Sequence, residues 1–211
     1  MSDYNRGYLK GLVRKKLQGD NYFTDTDIED ALNESQDDLA IFTKANLTRE
    51  ALTLVAGQDL YDWPATALTI AGVNYNGIEL DYMTNEEWRR RGGLSVSNQA
   101  SLTAPGNYST EGKQLIIFPT PGDPSATVLV FFVPKPTDMT DDADVPSVSR
   151  VFSKPWVHLA LSNLLEGDAA RLADATYHYD MYLKRRAENG VNENASRTRK
   201  FRNTYPKNIR M

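Results

Sequence analysis

Apolar residues recur at helical spacing near both ends of this chain and at extended spacing between them, a pattern that few folds accommodate. From about Asp3 onward, Tyr8, Leu9, Leu12, Val13 and Leu17 share one helical face, with Gly19 as terminator. A second helix starts behind Thr26 and Glu29, which have capping-box spacing, and carries Ile28, Leu32, Leu39 and Phe42 to about Lys44. Towards the other end, Ser153 caps a helix with Pro155 in its first turn and Trp156, Ala160, Leu164 and Leu165 along it. Gly167 breaks that helix. Asp168 opens another, in which Leu172, Thr176, Tyr179 and Leu183 fall in register as far as about Ala187. Short amphipathic helices cannot bury their stripes alone, so the helices of the two ends are expected to pack together.

The middle of the chain, from about Glu50 to Pro134, reads as strands. Leu52 to Val55 precedes Gly57, and Tyr61 and Trp63 precede Pro64. Leu68 to Tyr75 is a strand, Asn76-Gly77 a hairpin turn and Ile78 to Tyr82 the return strand. Thr84 and Glu87 form a second capping box, for a short helix Asn85 to Arg91 closed by Gly92-Gly93, and Leu94 to Gly106 is a polar loop. Gln114 to Phe118 and Thr127 to Val133 are strands on either side of a proline-rich turn. Both are apolar on both faces, so each needs cover on two sides. Lys135 to Val148 is an acidic crossing loop. The expected fold is α+β, a small bundle of N- and C-terminal helices (3–44 and 153–187) with an inserted, mostly antiparallel β module (about 50–134). Residues 1–187 then form one domain, and 188–211, polar and without periodicity, an extended arm.

Several kinds of chemistry are poorly supported. The chain has no cysteine, which removes disulfides, thiolate metal sites and cysteine nucleophiles. No apolar run approaches the roughly 18 residues of a membrane span, so no membrane partner is expected. Met1-Ser2-Asp3-Tyr4 does not resemble the start of a signal peptide. His158 and His178 fall in helices and read as helix-surface histidines; their spacing matches no zinc pattern, even with Asp174 and Asp180 near His178. No phosphate-binding glycine loop or nucleophile elbow occurs, and no catalytic, metal or cofactor residues are assigned. Asp138, Asp141, Asp142 and Asp144 read as a solvated loop rather than a calcium site. Carboxylates are numerous, so a carboxylate-dependent cell-wall hydrolase stays open as a reading.

Charge is unevenly distributed. The net charge is −4, yet Lys184 to the end holds nine basic residues against Glu188 and Glu193. The rest of the chain carries 15 basic against 26 acidic residues, a balance of −11. Arg197, Arg199, Lys200, Phe201, Arg202, Tyr205, Lys207 and Arg210 interleave cations with aromatics. Such a segment fits an acidic groove on a protein, or grips phosphates and stacks bases, or simply keeps a tail soluble. A DNA-binding or packaging-associated module acting through this arm is therefore a second reading.

The order of motifs resembles that of bacteriophage head–tail adaptor proteins, also called connector or tail accessory proteins. The likeness runs from Thr24 to about Ala187. It rests on Phe23-Thr24-Asp25-Thr26-Asp27-Ile28 leading to Ala31-Leu32-Asn33-Glu34-Ser35-Gln36, then Gly57-Gln58-Asp59-Leu60-Tyr61-Asp62-Trp63-Pro64. Pro105-Gly106-Asn107-Tyr108, the run Leu115 to Pro121, and Val133-Pro134-Lys135-Pro136 follow, with the aspartate-rich loop and the Trp156 helix completing the order. The resemblance implies a non-enzymatic virion protein of the neck, assembled in the host cytoplasm. Its partners would be the portal protein, neighbouring adaptor subunits in a ring of about twelve, downstream tail or nozzle proteins, and DNA passing through without sequence-specific binding. In several such proteins the C-terminal segment reaches a groove on the portal, so the resemblance makes Arg197 to Arg210 the portal-binding element. Tyr61, Trp63 and Tyr108 are candidates for the subunit interface, with ordinary core as the plainer reading.

Overall fold

The computed structural model describes residues 4–18, 22–90 and 104–203, with side chains described as far as residue 190. The α+β expectation holds: among the described residues there are five α-helices and two four-stranded sheets. The chain divides into two compact units, a helical one from Met1–Ala45 and Pro136–Met211, and a β unit from Asn46–Lys135. No helix among the described residues is long and apolar enough to cross a membrane.

In the helical unit, α1 (Arg6–Lys16) buries Leu9 and Val13, and Asn5 caps it by accepting from the Tyr8 N–H at 2.9 Å. Helix α2 (Asp25–Thr43) is capped two residues before the expected cap, Thr26. Thr24 is the N-cap, and its capping box is closed by Asp27, whose carboxylate accepts from the Thr24 N–H at 2.7 Å. Lys44 ends α2 in the left-handed conformation. Helix α4 (Ser153–Glu166), preceded by a short 3-10 turn over Arg150–Phe152, is buried on nearly every side and packs against α1, α2 and α5. Trp156 is fully buried there, and its indole N–H donates to the Leu32 carbonyl at 3.0 Å, tying α4 to α2. Helix α5 (Leu172–Asn203) follows a 3-10 turn, Ala169–Arg171, whose first free N–H (Ala170) is taken by the Asp168 carboxylate.

The acidic loop is latched to the bundle rather than merely solvated. The Arg6 and Gly7 N–H groups, unpaired donors at the start of α1, donate to Asp144 O at 2.9 Å and Asp142 O at 3.0 Å. A Cβ on Gly7 would lie 3.2 Å from Asp142, so this approach favours glycine. The Asn33 amide pairs with both backbone groups of Met139, and the Asp144 carboxylate accepts from the Thr140 and Asp141 N–H groups. Arg6, only 7% exposed, meets Glu29 and Asp142, each at 3.2 Å. The aspartates clustered here by sequence therefore fold the loop back on itself and fasten it.

The β unit is a sandwich. One sheet has the order β1 (Thr48–Leu52), β8 (Val128–Pro134), β3 (Ala67–Tyr75), β4 (Ile78–Glu79). The other runs β2 (Leu60–Asp62), β7 (Gln114–Phe118), β6 (Asn107–Glu111), β5 (Asp81–Tyr82). All pairings are antiparallel except β5 with β6. The predicted return strand is divided: buried Leu80 is the corner at which the chain leaves one sheet for the other. Likewise β7 and β8, neighbours across the proline turn in sequence, lie in different sheets. Val73, Tyr75, Val128 and Val130 of one sheet meet Tyr61, Tyr108, Leu115 and Ile117 of the other in the core. The opposite face of β7 puts Ile116 under Met83 and Trp88 of the short helix α3 (Asn85–Arg90). That explains a strand apolar on both faces. The Thr84–Glu87 capping box forms as expected. Gly92-Gly93 and the polar stretch to residue 103 lie outside the described residues.

Candidate docking site: the C-terminal helix and its basic flank

The sequence placed an extended arm from residue 188; the structure instead continues α5 as helix to Asn203. A helix can continue without an apolar stripe, so the loss of periodicity after Ala187 did not mark the end of the helix. At 32 residues the helix is about 48 Å long, using a rise of about 1.5 Å per residue. The backbone of Arg197, Arg199, Lys200, Phe201 and Arg202 is its last part, and Tyr205, Lys207 and Arg210 lie outside the described residues.

The base of α5 is anchored in the helical unit. Ala175 and Tyr182 are buried. The Tyr182 hydroxyl donates to the Asp38 carboxylate, and Arg186 donates to the Tyr182 oxygen at 2.7 Å while its guanidinium lies over the Phe42 and Tyr182 rings. The Asn189 amide donates to the Val151 carbonyl at 2.8 Å, and Phe42 packs against Gly190, where a Cβ would lie 2.9 Å from the ring. The expected inward stripe is turned outward. Leu172 is 54%, Tyr179 47% and Leu183 37% exposed, because Ala175 and Tyr182, one helical face away, occupy the contact with α4 and α2.

Beside this base lies a cavity of about 570 Å³ between α1, α4 and α5. Leu12 and Val157 are its apolar lining; Lys15, Lys16, Lys154 and Arg185 line it with cations, and no lining residue is acidic. His158 also faces it, and is buried rather than a surface histidine: it is 7% exposed, with its Nδ1 3.0 Å from Nδ1 of His178. One ring must donate and the other accept, so the contact needs at least one neutral imidazole. Burial, the neighbouring His178 and the charges of Lys16 and Arg185 push His158 down to about 4. His178 is lowered too, by burial and Lys16 against the opposing pull of Asp174. Among the described residues no three His, Cys, Asp or Glu side chains gather as a metal site.

Tyr61 and Tyr108, candidates for an interface, are core residues at 5% and 7% exposure; Trp63 is half-buried, with Lys113 over its ring. Sequence reading missed the basic cavity. Its cations come from three helices, α1 lying more than 130 positions from the other two, and only the basic last turn of α1 hinted at it.

No curated protein matches the chain. The model of one family, described as SU10 adaptor protein, matches residues 5–207, which include the β unit, nearly all of the helical unit and the whole of α5. The chain therefore belongs to the SU10 adaptor protein family.

Proposed function

We propose that the chain is a structural virion protein of the phage neck that forms a ring, of twelve copies, beneath the portal, joins capsid to tail and continues the DNA channel. Membership of the adaptor family carries this reading and gives the structural role in outline. The finer parts follow from the chain's own features. An acidic body balanced at −11 suits a channel wall along which DNA slides, since it offers few cations to hold phosphates. An outward apolar stripe on α5 suits burial against another protein. The end of α5 and the residues after it, Arg197, Arg199, Lys200, Phe201, Arg202, Tyr205, Lys207 and Arg210, are the portal-binding element, offering cations and aromatics to an acidic groove. Further partners are downstream tail proteins.

A chain ending at Ser196 tests the assignment of the arm. Among the described residues the anchoring contacts of α5 lie at or before Gly190, so truncation spares them, and the helical circular dichroism should fall only by the seven helical residues removed. Co-sedimentation with portal rings should be lost. Undiminished co-sedimentation of the truncated chain would refute the arm's role. Salt-sensitive DNA binding that vanishes with the same truncation, without any portal binding by the full chain, would favour the DNA-binding reading instead.

A further inference from the structure

The helical unit carries two faces of opposite charge. The first is the basic cavity of Lys15, Lys16, Lys154 and Arg185. The three lysines are exposed and meet no carboxylate within ion-pair distance among the described residues; Arg185 has only an exposed contact with Glu188, at 3.2 Å. The second is a groove of about 490 Å³ between α2 and the C-terminal half of α4. Asp27, Asp30 and Glu34 line it, with Tyr22 exposed beside them and no cation in the lining, although Arg171 stacks over the Tyr22 ring. Asp30 and Glu34 stand four residues apart, an arrangement of like charges that mildly disfavours a helix unless cations approach it. Both are exposed, and neither meets a cation among the described residues.

The two faces cannot neutralise each other within one chain. On α4 the basic cavity uses Val157 and His158, and the acidic groove uses Asn163 and Leu164. Six residues of helix separate these pairs by about 120° around the axis and about 9 Å along it. Two complementary patches on different faces of one subunit suit a head-to-tail contact, whereas a two-fold contact would need both patches on one face, so that each met the other across the axis. We propose that the basic cavity of one copy receives the Asp30–Glu34 edge of α2 from the next copy, and that this contact repeats around the ring. Leu12 and Val157 in the cavity give the contact an apolar floor around which desolvated ion pairs strengthen. A DNA duplex is too wide to enter a cavity of this size, while two carboxylates on successive turns of a helix can. This inference rests on the ring reading above.

Charge exchange tests it. K16E/K154E and D30K/E34K alter exposed side chains, and matching circular dichroism spectra would establish that both fold. Each variant alone should lose the collar on portal rings, because the first leaves its cavity, with Lys15 and Arg185 still present, no net charge to attract carboxylates, and the second presents positive charge at both faces. An equimolar mixture should restore the collar, the two variants alternating around it, and the fourfold variant should restore it in a single species. The chain lacks cysteine, so K154C and E34C give clean cross-linking sites. A short bis-maleimide should join K154C chains to E34C chains and leave either variant alone uncrosslinked. A collar formed by either charge variant alone, no recovery on mixing, or cross-linking of K154C to itself would overturn the contact while leaving the ring reading intact. Bare portals with the parent chain would remove both.

Discussion

The histidine pair makes the helical unit acid-sensitive in a window that can be calculated. An ordinary histidine titrates near 6.5, and His158 is held at about 4 in the folded chain. Between those values the unfolded chain binds more protons than the folded one, so stability rises with pH and is lost on acidification. At about 1.4 kcal/mol per pKa unit, lowering the pH from about 8 to about 5 removes about 2 kcal/mol through His158, and about 3 kcal/mol by about pH 4. Little discount for solvent applies, since His158 is 7% exposed. His178, also lowered, acts in the same direction. The carboxylates of Asp25, Asp27, Asp142 and Asp144 are lowered as well, by hydrogen bonds from Arg14, Thr24, Lys10 and the Asp141 N–H. Their contribution is present above the ordinary carboxylate range and fades only below it, so it leaves the interval from about pH 5 to about pH 8 to the histidines. Urea unfolding followed by far-ultraviolet circular dichroism at several pH values reads this directly. His158→Gln, which keeps a polar partner for His178 but cannot titrate, should remove most of the slope. Equal midpoints for the parent at the two ends of the interval would refute the reasoning, as would an undiminished slope in the variant.

Two further expectations concern how α2 and the acidic loop are held. Thr24→Ala should cost about 1 kcal/mol in urea unfolding and Thr26→Ala under about 0.5 kcal/mol, because only Thr24 accepts from the helix's free N–H groups; the reverse order would put the cap back at Thr26. Arg6→Met should cost about 2–3 kcal/mol, below the usual penalty for breaking a buried pair because Lys10 still neutralises Glu29 at 3.0 Å; it should also raise proteolysis of the 137–147 loop, and an unchanged cleavage rate would show that the loop is held without Arg6.

Strong periodicity made the helices and the main strands readable, and the misses have local physical causes. Thr24 and Thr26 each have an acid three residues on, so the capping pattern was degenerate. What decides is Phe23, buried against Leu165 and Ala175, which fixes where the chain turns into α2. Strand β6 has one large apolar residue, Tyr108, and is buried through its pairing with β5 and β7. Strand β1 is an edge strand with exposed charges, which hides its pattern. On α5, two stripes share helical spacing, and the larger side chains of Leu172, Tyr179 and Leu183 suggested the wrong one. Ala175 allows close approach, and Tyr182 brings a hydroxyl that Asp38 accepts. The cationic composition of the C-terminal segment was legible, whereas its helical backbone was not. The basic cavity and the histidine pair depend on α1, α4 and α5 meeting in space, which spacing along the chain cannot convey.

The most direct test of the central claim is electron microscopy of this chain mixed with portal rings of the same particle. A twelve-fold collar beneath the portal, with density for α5 continuing from the collar into a portal groove, is the predicted result. Portals that stay bare at micromolar chain, or a collar whose α5 points away from the portal, would contradict it.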